Sequence, residues 1–252
     1  MRGRPIPLSR PRRLVGDLLY FAAGVPTAPV QRRMNLQPLI DSLAFHPERP
    51  SWTAIFTKAY AIVANEFPDV RRAYLKLPWP QLYEYPASIA SVAFDRDFDG
   101  EKAVLIGRVK DPATTALSDL DQKFKVFLEA PLAEMKDFRR ALRMCRLPRL
   151  VRRWVWWLLL NYGRRRGSYF GTFAVRPAVG AESLHPSSPL TTLLTYGPVD
   201  PDGVVDVRIV YDQRVLDEAT IARVLGRLEE VLNSRIADEI RTYGVFPLRL
   251  VA

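Results

Sequence analysis

The sequence holds a single cysteine, Cys145, and only two histidines, His46 and His185, among its 252 residues. One thiol cannot close a disulfide within the chain, so no covalent staple supports the fold. A reducing cytoplasm suits that usage. Two imidazoles are too few for a histidine-based metal site, and no metal is expected. No apolar run approaches the roughly 18 residues that a membrane-spanning helix needs. Glycine and serine tracts are missing and no segment repeats, which makes one domain the default. Zinc-finger spacing and RNA-binding signatures are absent too, which argues against a nucleic-acid partner.

What is plentiful is positive charge. Lysine and arginine number 37 against 27 acidic residues, a net charge of +10. That balance favours anionic partners, such as an acidic lipid surface or a phosphorylated cofactor. Hydrophobic residues make up 48% of the chain, enough at this length for a sizeable core. Residues 1–13 carry five arginines and three prolines and read as a flexible basic arm. Residues 14–252 read as a single domain. Arg10, Arg12 and Arg13 ahead of the apolar stretch 14–25 imitate a signal peptide. Asp17 interrupts that stretch, which favours an amphipathic helix.

Periodicity supplies the elements. Ser51 or Thr53 caps a helix whose apolar face is Trp52, Ile55, Phe56, Ala59, Ile62 and Val63, and Pro68 stops it. Residues 87–94 and 104–109 read as strands around the turn residues Asp97 to Gly100. A helix opens at Ser118 or Asp119 and ends before Pro131. Strands follow at about 168–175 and 190–196. Val205, Val207, Ile209 and Tyr211 alternate with polar residues, as a half-buried strand requires. The last helix spans about 218–236, with Ile221, Val224, Leu225, Leu228, Val231 and Leu232 as its stripe. Strands and helices mix without regular alternation, which suggests a mixed-sheet sandwich of α and β layers, an α/β (α+β) chain.

Between the last strand and the last helix stands Tyr211-Asp212-Gln213-Arg214-Val215-Leu216-Asp217-Glu218. It resembles the D-H-R-x-x-D-G signature of the dihydrolipoamide acyltransferase catalytic domain. Other segments agree in order: Val25-Pro26-Thr27 through Leu39, Phe56 to Phe67, Val92 to Lys110, Gly171-Thr172-Phe173, and Pro189 to Gly197. The resemblance spans most of residues 25–236. It implies the two-layer, chloramphenicol acetyltransferase-like fold, a thioester such as acyl-CoA as co-substrate with no covalently bound cofactor, and a homotrimer with channels at its subunit interfaces. Neither a lipoyl nor a subunit-binding domain is expected among these residues.

Gln213 occupies the position of the family's histidine. A neutral imidazole accepts a proton near pH 7, and a carboxamide does not. The family's oxyanion-stabilising serine matches Arg176, whose charge also suits an oxyanion but whose length crowds a narrow channel. Asp217 matches the second aspartate. It either orients the active-site loop or caps the last helix. Asp212 and Arg214 fix the turn. His185, in the segment before Pro189, is the candidate replacement base.

By the same resemblance, relatives are usually more polar ahead of the Gly-Thr-Phe strand, and Arg152-Arg153-Trp154-Val155-Trp156-Trp157-Leu158-Leu159-Leu160 looks like an elaboration of this chain. Seven consecutive apolar residues cover a helix all round. The helix is either a core or subunit-contact helix with arginines reaching water, or it lies against a membrane surface or a lipidic substrate. In the second case Trp154, Trp156 and Trp157 frame an acyl-chain entrance, and the cytoplasmic protein sits peripherally on the inner membrane face. Two functions are therefore in play. One is acyl transfer with altered or weakened chemistry. The other is a non-catalytic scaffold that binds a partner or lipid.

Overall fold

The computed structural model describes residues 3–44, 49–98, 100–132, 134–178 and 184–243, and His46 lies outside them. Helices α1 (Arg10–Ala22), α2 (Gln37–Ala44) and α3 (Trp52–Glu66) alternate early with strand β1 (Thr27–Asn35). A two-stranded ribbon, β2 (Arg72–Leu75) and β3 (Gln81–Glu84), follows. The hairpin β4 (Ile89–Phe98) and β5 (Glu101–Lys110) then leads into α4 (Leu117–Glu129), α5 (Lys136–Met144), α6 (Arg149–Asn161) and α7 (Gly163–Phe170). The chain closes with β6 (Phe173–Pro177), β7 (Thr192–Tyr196), β8 (Val204–Asp212), α8 (Glu218–Val231) and α9 (Ala237–Tyr243). A π-helical turn, Leu232–Ile236, joins the last two helices.

The main sheet has six strands in the order β1-β8-β7-β6-β4-β5. The pairs β4/β6 and β6/β7 are parallel and the rest are antiparallel, which gives the mixed sheet expected. Alternation along β8 sends Val205, Val207, Ile209 and Tyr211 into a core shared with α3 and α8. The stripe Ile221, Val224, Leu225 and Leu228 meets them, each residue almost fully buried. Each such side chain contributes about 1.5–3 kcal/mol. The Ser51 hydroxyl accepts from the Ala54 N–H and starts α3, which ends before Pro68 as expected.

A second group of helices, α1, α5, α6 and α7, covers part of the opposite face, over β4, β5 and β6. Here the structure departs from the sequence reading in three places. Helix α1 begins at Arg10, inside the stretch taken for a flexible arm. The Ser9 hydroxyl caps it by accepting from the Arg12 N–H, and Arg12 pairs with Glu101 of β5. Residues 168–170 are helical rather than extended. Helix α7 runs on until Gly171, whose φ of +84° only glycine adopts easily. A side chain there would collide with the Ser91 hydroxyl and the Ile89 carbonyl. Finally, α6 turns Trp156 and Leu159 inward and leaves Leu150, Val151 and Trp154 exposed, and it departs from the reading in its arginines. Arg152 does not reach water. It is buried and pairs with the equally buried Asp17 of α1, which Arg153 also approaches at 3.3 Å.

Parallel β6 and β7 need a crossover. The described part of that return, 184–191, leads into the N-terminal end of β7. Arg166 anchors it. This guanidinium is buried; it donates to the Tyr74 carbonyl (3.0 Å) and to the Pro189 carbonyl (2.8 Å), tying β2 to the return segment.

Candidate functional site

Strand β8 ends at Asp212, whose side chain is fully buried. Its carboxylate accepts from the backbone N–H of Arg214 (3.0 Å) and from that residue's Nε (2.9 Å) and Nη2 (2.7 Å). The Arg214 guanidinium in turn lies 4.5 Å over the Tyr74 ring. Both residues therefore fix the turn, as the sequence suggested. Gln213 sits between them with an exposed side chain, and its N–H donates to the Pro26 carbonyl at 2.9 Å. Backbone and neighbours are locked, and the amide is presented outward.

Asp217 caps α8. Its carboxylate accepts from the Thr220 N–H at 2.6 Å, and that bond holds the carboxyl below the usual range. Of its two sequence readings, the cap is the one this geometry displays.

His185 is brought to the same end of the sheet. Its Nε2 lies 2.7 Å from the Thr27 hydroxyl. Thr27 stands directly across the β1/β8 ladder from Asp212, the residue before Gln213. An imidazole from a distant part of the chain thus sits beside the turn that carries the glutamine. Thr191, at the end of the same return segment, accepts the Asp212 N–H through its carbonyl (2.9 Å).

Arg176 is elsewhere. It pairs across β7 and β8 with Thr195 and then Arg208, five residues before Gln213. At about 3.4 Å per residue that is roughly 17 Å along the strand. Within one chain Arg176 and Gln213 do not meet. Arg176 instead lines two cavities, one of about 510 Å³ and one of about 230 Å³. Tyr196 lines the larger one. Burial pushes its phenol up to about 12, and its hydroxyl lies 2.9 Å from that of Thr53. It therefore stays protonated near neutrality. Trp156 lines the smaller cavity, stacked on Phe21 and edge-on to Phe170. Trp154 and Trp157 face outward and line neither.

Sequence reasoning missed Thr27 and Arg166. Thr27 lay inside the matched Val25-Pro26-Thr27 segment, but its role needs the cross-strand register. Arg166 closes a run of three arginines, which reads as a solvated charge cluster. Among the described residues no group of histidine, cysteine, aspartate or glutamate could hold a metal ion, and no helix is long and apolar enough to cross a membrane.

A six-stranded mixed sheet in this strand order, with helices packed on it, is the chloramphenicol acetyltransferase-like fold. Among solved structures the chain is similar to a probable dihydrolipoamide acetyltransferase from Listeria monocytogenes (14% identity, TM-score 0.63, 91% of this chain and 94% of that one). It is similar also to a truncated catalytic core of the 2-oxoacid dehydrogenase multienzyme complex from Thermoplasma acidophilum (15%, 0.65, 92% and 99%). A third is the dihydrolipoamide acetyltransferase of Azotobacter vinelandii (15%, 0.64, 94% and 93%), studied for the role of a serine, a histidine and an asparagine in its catalytic mechanism. No protein-family model and no curated protein matches the sequence.

Proposed function

We propose that the protein transfers an acyl group from a thioester, acyl-CoA being the natural donor class, by an altered mechanism in which the proton acceptor has moved from position 213 to His185. The observation that carries this reading is the His185 imidazole on the Thr27 hydroxyl, across from Asp212. In the Azotobacter enzyme the histidine and asparagine are four residues apart, as Gln213 and Asp217 are here, which supports placing the reaction at this turn.

The step is as follows. A thiol or hydroxyl acceptor gives its proton to a ring nitrogen of His185, and its sulfur or oxygen attacks the thioester carbonyl. The tetrahedral intermediate collapses, the C–S bond to the donor breaks, and the departing thiolate takes the proton back. Gln213 cannot accept the proton, but its carboxamide N–H can donate to the oxyanion, a contribution of about 10²–10³ in rate for one such donor. The two side chains exchange the roles that a histidine base and a separate donor would have. Asp212, Arg214 and Arg166 are positioning residues: they hold the turn and the segment bearing the imidazole.

The reading includes a homotrimer. One solved structure similar to this chain is the cubic core of the pyruvate dehydrogenase multienzyme complex, an assembly of many copies. Leu150, Trp154 and Trp157 of α6 form an exposed apolar face available for contact with another copy.

The test is acyl-CoA consumption by the purified chain with a small thiol acceptor, followed by mass spectrometry of the acyl product. His185→Gln is expected to slow it by about 10²–10⁴-fold, the usual worth of a general base. Adding Gln213→His to that variant is expected to restore part of the rate. An unchanged rate in the His185→Gln variant overturns the relocated base. No consumption and no binding of acyl-CoA leaves the non-catalytic scaffold as the reading.

A further inference from the structure

The smaller cavity, about 230 Å³, lies between the sheet and helices α1, α5, α6 and α7. Its walls are mostly carbon: Leu14 and Leu18 of α1, Phe138 and Met144 of α5, Trp156 of α6 and Phe170 of α7 are among them. Ala93, Ala174 and Leu193 supply its floor from β4, β6 and β7. A cavity of about 150 Å³ lined by such side chains stays dry and accepts a six-carbon ring. On that scale 230 Å³ takes an unbranched chain of roughly eight or nine carbons.

Three guanidinium groups border the same space, and their pairing differs. Arg108 is neutralised by Asp137, which also lines the cavity. Arg140 stacks 3.5 Å over the Tyr169 ring and has no carboxylate partner among the described residues. The guanidinium of the exposed Arg176 makes no hydrogen bond or ion pair among the described residues, and it lines both this cavity and the larger one, where Asp95 also lies. An unpaired cation at the junction of an apolar cavity and a wider, more polar one suits a ligand with an apolar tail and an acidic or carbonyl head.

We infer that this cavity binds an acyl chain of about eight carbons, with its carboxylate or thioester carbonyl oxygen on Arg176. The free acid and its thioester share that chemistry. The inference goes beyond the proposed acyl transfer and is read without turnover, so it stands or falls separately from the role of His185.

Titration calorimetry of the full chain with octanoate, octanoyl-CoA and octanol tests it. Saturable binding of octanoate, one per chain, is expected, and Arg176→Ala should weaken it about 10- to 100-fold, the range for a charge-assisted hydrogen bond. Octanol binding should not respond to that substitution. Octanoyl-CoA binding without octanoate binding identifies the thioester as the occupant. Ala174→Leu from the sheet side and Ala141→Leu from α5 each fill the cavity, and either, shown folded by circular dichroism, should abolish binding. The inference is overturned if neither octanoate nor octanoyl-CoA binds, or if a folded cavity-filled variant binds as well as the parent. An unaltered octanoate affinity in Arg176→Ala overturns the head-group assignment.

Discussion

Asp17 shows how a single side chain decides the fate of a segment. In the sequence it was the residue that spoiled a hydrophobic run. In the structure it is 2% exposed and paired with Arg152, itself 5% exposed, so that α1 is fastened to α6 by two charges withdrawn from water. Removing one member leaves the other buried without compensation, which costs about 3–5 kcal/mol. Asp17→Ala is therefore expected to lower unfolding stability by that amount in a denaturant titration. Asp17→Ala with Arg152→Met, which removes both charges, should recover much of it. The candidate site residues were legible to the same limited depth. Gln213 and Asp217 follow from the spacing of one octapeptide, and His185 from its place ahead of Pro189. Their company is not legible, because Thr27 reaches His185 and Asp212 only through strand register, and Arg166 finds its two carbonyls only after β2 and the return segment are folded together.

Among the elements, those with a strong period were readable. The apolar stripe of α8 and the alternation of β8 fixed both their type and their inward face. The failures share one cause, a boundary set by tertiary contact. Helix α1 starts early because Ser9 caps it and Arg12 finds Glu101. Helix α7 overruns the start of the expected strand because only Gly171 can break it, at a backbone conformation other residues resist. Gly171→Ala is accordingly expected to destabilise the fold by on the order of 1–3 kcal/mol, seen as a lower thermal midpoint. It should act locally on the β4/β6 join, where the Ser91 hydroxyl donates to the Phe170 carbonyl at 2.5 Å. Helix α6 was legible only as a choice between a core or contact helix and a helix at an apolar interface, and the single chain covers only the side bearing Trp156.

At the scale of the whole molecule that uncovered side bears on assembly. Light scattering is expected to give three copies per particle, and Trp154→Glu should shift the population toward smaller species. A trimer unaffected by the substitution, with Trp154-dependent sedimentation on acidic vesicles, would instead assign the face to lipid. Acid should loosen the fold. The carboxyl of Glu66 is held below its ordinary value by hydrogen bonds from Arg227, with Arg235 adding to the effect, and Asp217 is held down by the Thr220 N–H. In the unfolded chain these groups regain proton affinity. Their contribution is therefore complete above the normal carboxylate range, about pH 4, and disappears as the pH falls through the lower folded-state values. Denaturation midpoints should drop below pH 4 and stay level between pH 6 and 7.

The outermost strands carry one more consequence. At one border β1 holds Pro29, which lacks an N–H, together with the exposed Arg32 and Arg33. At the other, α1 lies against β5. A visiting strand would meet a missing donor and two long side chains held by Glu229 and Asp200 at the β1 border. Lateral growth into fibrils is thereby discouraged, and copies that associate should keep their sheets separate and meet through side-chain surfaces.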